Sequence, residues 1–398
     1  MKTPRILPDW LEGWMEYNSN SEAPKPYIQW VGLSVIAAVL SRKCFWIWDK
    51  IIYPNLYVVL VGPPACRKNS AMDPGKRMLE KLNVNMAADI TTMQKLMIRM
   101  EENTDNFQEE NGPLHTYSAL TVFSEEFAVF LGYNNREFIG VLTDWYDCKV
   151  HFNYETKHQG DTKIEGVFFN LIGGTTPSLL QDSLTSQTFG GGLNSRIIYV
   201  YGNQKDHLEM FPFMAQGKFE LWDKLETDLQ SIQILAGEFQ KDQTYLDHWE
   251  IWYPETERCK LKADPRMVGY AGRRPTHAHK IAMLVNASRT GDMILTGDDL
   301  RRAITIMEKT EKTMSQTFAG VGKSDTAAVM HAVLTFVRLR KTVMYSEILR
   351  HFSYDANDNV MATVIATLEK SNLVSVESKK IGENKRDLEL SYIAGHEG

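Results

Sequence analysis

A continuous apolar run followed at once by a glycine-proline turn, LYVVLVGPP at 56–64, restricts this chain more than any other feature. It lacks alternation, so a strand formed there is buried on both faces, as in sheets covered by helices on either side. The turn then delivers the chain into another element at the strand's carboxyl end. Comparable runs recur as YSALTVF (117–123), GVFFNLI (166–172) and RIIYVYG (196–202), with helix-spaced apolar patterns between them. Buried strands alternating with helices predict an α/β layer around a largely parallel sheet. Residues 9–45 read as helical from Trp10, Leu11, Trp14 and Met15 and from the stretch 30–40, broken by the loop SNSEAPKP. Residues 215–320 carry mostly amphipathic helix patterns.

With 398 residues and 43% hydrophobic content, the chain can bury a large core and hold two or three domains. No apolar stretch approaches the roughly 18 residues of a membrane span, and the start MKTPRILPDW lacks a signal-peptide pattern. The expectation is a soluble, cytoplasmic protein with no membrane partner. Cys44, Cys66, Cys148 and Cys259 are far apart and form no CxxC pair, which argues against a zinc site or a disulfide framework. A net charge of −6 excludes a globally basic nucleic-acid coat but not a local basic path.

After the first run the chain reads Gly62, Pro63, Pro64, Ala65, Cys66, Arg67, Lys68, Asn69, Ser70, which lies over the phosphate-loop pattern GxxxxGK[ST]. That chemistry needs backbone N–H groups around the phosphates at a helix start, a lysine on the β- and γ-phosphates, and an oxygen ligand for magnesium. Lys68 suits the lysine role, and Asn69 or Ser70 the metal role. Arg67 stands where the pattern has glycine and Asn69 where it has a hydroxyl residue; a plain Gly-Pro turn between strand and helix would read similarly. The second run ends in Glu125 and Glu126, the acids such a site requires, one toward Mg2+ and one to polarise the attacking water. The two roles stay open between them, with Glu125 also a metal candidate. Two acids after a strand also suit a solvated helix start. The third run ends in Thr175 and Thr176, where Thr175 can sense the γ-phosphate; Thr176-Pro177 equally suits a helix start.

The segments IYPNLYVVLVGPPACRKNSA, LTVFSEEFAVFL, LIGGTTPSLL and FGGGLNSRIIYVY, in this order, resemble the primase-associated, uncharacterised AAA+ ATPase-helicase family of phages and mobile elements. LNSRIIYVY is also similar to the SRF-containing segment of minichromosome maintenance helicases. The resemblance covers roughly residues 8–320, and the family's phosphate loop contains the same Arg-Lys pair. It implies an AAA+ P-loop core that binds ATP and Mg2+ and assembles as a homo-oligomeric ring, expected as a hexamer. It further implies that Arg196 acts as an arginine finger in a neighbouring subunit's site. The segment 150–166 reads as a β-hairpin from the alternation of Val150, Phe152 and Tyr154 against Thr162 and Ile164. In AAA+ helicases a hairpin at this place faces the pore, which makes Lys157, His158 and Lys163 candidate DNA contacts; a solvated surface hairpin is the plain alternative. Arg273 or Arg274, in GYAGRRPTHAHK, is the candidate second sensor of the nucleotide in a helical lid.

The last stretch carries three helix patterns, TAAVMHAVLTFVR, TVMYSEILRHF and NDNVMATVIATLEKSN, then LVSVESKK and RDLELSYI as a two-stranded wing. This order is that of a winged helix, with Lys379, Lys380, Lys385 and Arg386 as phosphate contacts to duplex DNA. The expected organisation is a helical N-terminal region (1–50), an AAA+ core (51–212), a lid (213–321) and a winged helix (322–398). The expected function is an ATP-dependent DNA helicase or translocase. A replication initiator or helicase loader that uses ATP as a switch, and a winged-helix regulator with a degenerate nucleotide site, are the alternatives.

Overall fold

The computed structural model describes residues 5–87, 91–108, 113–132, 135–156, 160–183, 192–210, 218–318, 325–352, 358–380 and 386–393. The fold is mixed α/β and divides into two compact units, Met1–Ala319 and Gly320–Gly398.

In the first unit, α1 (Trp10–Tyr17) starts where the Asp9 carboxylate accepts the N–H groups of Leu11 and Glu12. Next comes α2 (Lys25–Leu40), which has proline in its first turn and is buried nearly all round, so it reads as apolar rather than amphipathic. Helix was expected to run on to residue 45. Instead β1 (Cys44–Ile47) and β2 (Ile51–Ile52) pair as a short antiparallel hairpin. The aromatic and β-branched content of CFWI suits a strand once a partner strand is present.

The central layer follows. β3 (Tyr57–Val61) is buried at every position and leads into α3 (Lys68–Lys81). Then come α4 (Met93–Glu102), β4 (Thr104–Gln108), β5 (Leu114–Ser124), α5 (Phe127–Leu131) and α6 (Arg136–Tyr146). A hairpin of β6 (His151–Thr156) and β7 (Gly160–Glu165) precedes β8 (Val167–Thr175), α7 (Pro177–Ser183) and β9 (Ile197–Tyr201). The sheet order is β4-β5-β8-β3-β9, parallel except for β4 at the edge. Gly166 enters β8 with φ +57; a Cβ there would lie 2.6 Å from the Thr116 carbonyl oxygen, so the sharp exit from the hairpin needs glycine.

Because β8 lies between β3 and β5, the carboxyl ends of these three strands come together at one end of the sheet. Val61 pairs with Thr175 and Ser124 with Gly173. The rest of this unit is largely helical, with long helices at Phe219–Gln233, Gln243–Thr256, Val268–Arg289 and Gly297–Met314.

The second unit packs helices Asp325–Arg340, Tyr345–His351 and Asp358–Lys370 with a sheet around Val333, Val337, Ile348, Met361, Val364, Leu368 and Leu390. Its sheet has three antiparallel strands rather than the expected two, because Thr342–Met344 joins Val374–Lys380 and Arg386–Tyr392. The start of TVMYSEILRHF is therefore strand and not helix. Val343 opposite Leu390 buries both side chains, which local helix periodicity could not anticipate. No helix among the described residues is long and apolar enough to cross a membrane.

Candidate nucleotide-binding site at the ends of the central strands

The loop between β3 and α3 is held from three sides. The Gly62 N–H donates to the Thr175 carbonyl at 3.2 Å, the Tyr27 hydroxyl donates to the Val61 carbonyl at 2.7 Å, and the Cys66 thiol donates to the Gly202 carbonyl at 3.4 Å. A Cβ at Gly62 would sit 2.3 Å from the Gly202 oxygen and 2.5 Å from the Tyr27 hydroxyl, so only glycine fits. Ala65 and Arg67 both take left-handed backbone conformations, with φ +64 and +59. That explains why the phosphate-loop pattern has glycine where Arg67 stands: a non-glycine residue there costs roughly 1–2 kcal/mol.

Helix α3 opens at Lys68 with no side-chain cap, leaving first-turn amides available to an anion. The Lys68 ammonium folds over its own loop and donates to the carbonyls of Gly62 at 2.8 Å and Pro63 at 3.1 Å. Burial pushes its pKa below the ordinary lysine value, while Cys66 and Glu126 act in the opposite direction.

The two acids at the end of β5 diverge. Glu125 accepts from the Asn69 side-chain amide at 2.9 Å, and Glu126 accepts from the Thr175 hydroxyl at 2.8 Å. Thr175 is fully buried on the strand between the other two. The structure thus joins the loop helix, the acidic strand and the threonine strand through two side-chain contacts. Ser70 takes no part in them; it lines a cavity of about 390 Å³ with Tyr17, Asp73, Arg77, Lys218 and Phe219. Of the two metal candidates on α3, Asn69 is the one that bonds an acid at the end of β5. Its side-chain oxygen and Glu125 are hard oxygen donors of the kind that suit magnesium.

Arg196 lies elsewhere. It ends the 3₁₀ turn before β9, and the pairing of Ile197 with Tyr57 and of Tyr201 with Val61 puts it a full strand from the Gly62–Ser70 loop. At roughly 3.3 Å per residue the separation along the sheet is about 16 Å. Its guanidinium is buried, donates to the Gly192 carbonyl at 2.7 Å and pairs with Asp147. Arg273 approaches the same carboxylate at 3.5 Å and Lys50 at 3.8 Å, and Arg273 also donates to the Ser195 hydroxyl at 3.1 Å. Burial works to raise the Asp147 pKa, but Arg196, Arg273 and Lys50 together hold it below the usual carboxylate value. Beside them the enclosed His277 is driven down to about 3, chiefly by burial, and is neutral at physiological pH.

The expected second-sensor role separates Arg273 from Arg274. Arg273 belongs to the Asp147 cluster beside Ser195, at the end of the sheet away from the Gly62–Ser70 loop. Arg274 forms a two-pronged buried pair with Glu311, at 2.8 and 3.0 Å, and Tyr270 donates to the same carboxylate. Its donors are engaged in joining two helices, which is a structural task. Replacing Arg274 with alanine should cost about 3–5 kcal/mol in urea unfolding, because it strands the Glu311 charge in the interior; the same change at the more exposed Arg273 should cost much less.

The β6–β7 hairpin pairs Phe152 with Ile164 and Asn153 with Lys163. Phe152 and Ile164 are buried and Phe152 packs edge-on against Trp145 at 5.7 Å, while Lys163 is exposed. Lys157 and His158 lie outside the described residues, as does Lys385. In the second unit Lys379 and Lys380 are exposed, Lys379 pairs with Glu389, and Arg386 stands opposite Lys380 in the strand register.

Glu22, Tyr27 and Asp147 had no sequence signal. Each acts on a partner distant in the chain, and none falls in a motif with recognisable spacing. No protein-family model and no curated protein matches this chain.

Proposed function

We propose that the chain is an AAA+ ATPase that acts on DNA as a homo-oligomeric ring, with a winged helix as its second unit. The observation that carries this reading is the convergence of Lys68, the Asn69–Glu125 pair and the Thr175–Glu126 pair at adjoining strand ends, with Arg196 held at the opposite end. Lys68 exchanges its loop carbonyls for the β- and γ-phosphates of ATP. Asn69 and Glu125 would hold magnesium, which would supply positive charge against those phosphates. Glu126 accepts the proton of the attacking water, and Thr175, fully buried with its hydroxyl on Glu126, orients that carboxylate rather than touching the γ-phosphate. Arg196, out of reach of its own loop, supplies positive charge to the site of a neighbour in a ring expected as a hexamer. Lys163 on the hairpin, and Lys379 and Lys380 on the wing, contact the DNA backbone.

A second reading, an ATP-dependent initiator or loader that hydrolyses slowly, draws on Asn69. Its amide bonds Glu125 where the phosphate-loop pattern has a hydroxyl. Measuring ATP turnover with no DNA, with single strands and with duplex separates the two: a motor is stimulated by DNA, whereas a switch turns over slowly in all three. Lys68→Ala should abolish ATP binding with an unchanged circular dichroism spectrum, since no other ammonium is proposed to sit on the phosphates. Undiminished affinity in that variant removes the phosphate-loop assignment.

A further inference from the structure

The conformation of Arg67 needs an explanation that the ATPase reading leaves out. It holds a left-handed backbone where glycine would be relaxed, with φ +59 and ψ +30, immediately before the lysine of the loop. Its side chain does not turn toward Lys68. Nε donates at 2.6 Å to one oxygen of Glu22, which comes from the loop between α1 and α2, and Nη2 pairs with the same oxygen at 2.6 Å. The same oxygen takes the Lys205 ammonium at 2.8 Å, and the other accepts the Glu209 N–H at 3.3 Å. The Glu22 carbonyl accepts the Asp206 N–H at 3.0 Å. Glu22 therefore touches the phosphate loop on one side and the segment after β9 on the other.

The Glu22 side chain is 10% exposed and that of Arg67 46%, so the carboxylate is the fixed partner and the guanidinium the one gripped. Lys205 above all, with Arg67 and the Glu209 amide, holds the Glu22 pKa down at about 2 against the opposing effect of burial. The clasp thus stays charged throughout the physiological range and is not a pH switch.

We propose that Glu22 is a positioning residue of the phosphate loop: by gripping the Arg67 guanidinium it stabilises the left-handed turn that aims the α3 amides and Lys68, and it ties that turn to the segment after β9. Arg67 is then an anchor of the loop and not a ligand of the phosphates. The arginine tolerates the glycine position because its side chain is bonded in that conformation. This rests on the ATPase reading for its effect on nucleotide, but the clasp itself does not depend on nucleotide.

Two measurements on the full chain test it. In the first, affinity for Mg-ATP and steady-state kinetics are measured for wild type, Glu22→Ala, Arg67→Gly and the double variant. Glu22→Ala should weaken binding about tenfold and raise KM with kcat within about twofold, because the groups doing chemistry are untouched. Arg67→Gly should bind nearly as wild type, and in its background Glu22→Ala should lose most of its effect, since glycine takes positive φ unaided. If Arg67→Gly weakens binding as much as Glu22→Ala, or if Glu22→Ala binds more tightly than wild type, Arg67 is a phosphate ligand restrained by Glu22 and the proposal is overturned.

The second measurement is urea unfolding of the same four proteins without nucleotide. The midpoint loss from Glu22→Ala should be smaller in the Arg67→Gly background; equal losses in both backgrounds overturn the clasp. A wild-type chain that fails to bind Mg-ATP would defeat the ATPase reading alone, because the unfolding cycle still decides the clasp.

Discussion

Arg196→Ala is expected to bind ATP as wild type does and to hydrolyse it roughly three to five orders of magnitude more slowly, the span attributed to an arginine supplied across an interface. The expectation rests on position. Arg196 precedes β9 at the end of the sheet away from its own Gly62–Ser70 loop, so under the proposed ring it would serve a neighbour's phosphate and not its own. The guanidinium is buried against the Asp147 carboxylate and the Gly192 carbonyl, so in the shared-site reading it has to leave them to reach a neighbour's phosphate. Removing Arg196 leaves Asp147 with Arg273 and Lys50, so the carboxylate keeps cationic neighbours and the fold should survive.

Mixing gives the decisive form of this experiment. Lys68→Ala and Arg196→Ala proteins, each inactive alone, should recover part of the ATPase together, because some interfaces then join an intact loop to an intact arginine. Dilution below the assembly concentration should remove the rescue. Mixed assemblies without recovered activity, or an Arg196→Ala monomer with the wild-type rate, would show that the site is not shared.

The second large effect is expected at Glu126. Glu126→Gln should retain ATP yet lower kcat by about 100- to 10,000-fold, the usual weight of a general base. The glutamine carbonyl can still accept the Thr175 hydroxyl at the place where Glu126 now does, so geometry is preserved while the capacity to take a proton is lost. Glu125→Gln should behave differently. Its carboxylate faces Asn69, and neutralising it should raise the magnesium concentration needed for half-maximal rate more than it lowers the rate at saturation. An exchange of the two phenotypes reverses the roles, and normal turnover in both variants discards the acidic pair as catalytic.

The sequence by itself determined the layered α/β architecture. A strand covered by helices on both faces has to be apolar at every position, so LYVVLV, the core of YSALTVF, VFFNLI and IIYVY announce their burial in one dimension. The turn between β3 and α3 was legible as well, since Gly62, Arg67 and Lys68 are neighbours in the chain and their constraint is local. Elements whose stability depends on a partner strand were misread. Cys44–Ile47 and Thr342–Met344 are short, and they are strands because of Ile51–Ile52 and Leu390 rather than through any periodicity of their own.

The side-chain pairings were decided only by the tertiary structure. Arg67 meets Glu22 across 45 residues of sequence, Arg196 meets Asp147 across 49, and Asn69 meets Glu125 across 56. The sheet order that sets β8 between β3 and β5 is what brings Thr175 to the acidic end of β5, where it meets Glu126. Arg273 and Arg274 are adjacent and chemically identical, yet one faces Asp147 and the other Glu311, because successive residues of a helix point about 100° apart and meet different neighbours. Apolar burial is written along the chain since every residue of a buried strand must satisfy it alone. A charged group is satisfied by one partner at hydrogen-bond distance, and which partner that is depends on where the whole fold has carried it.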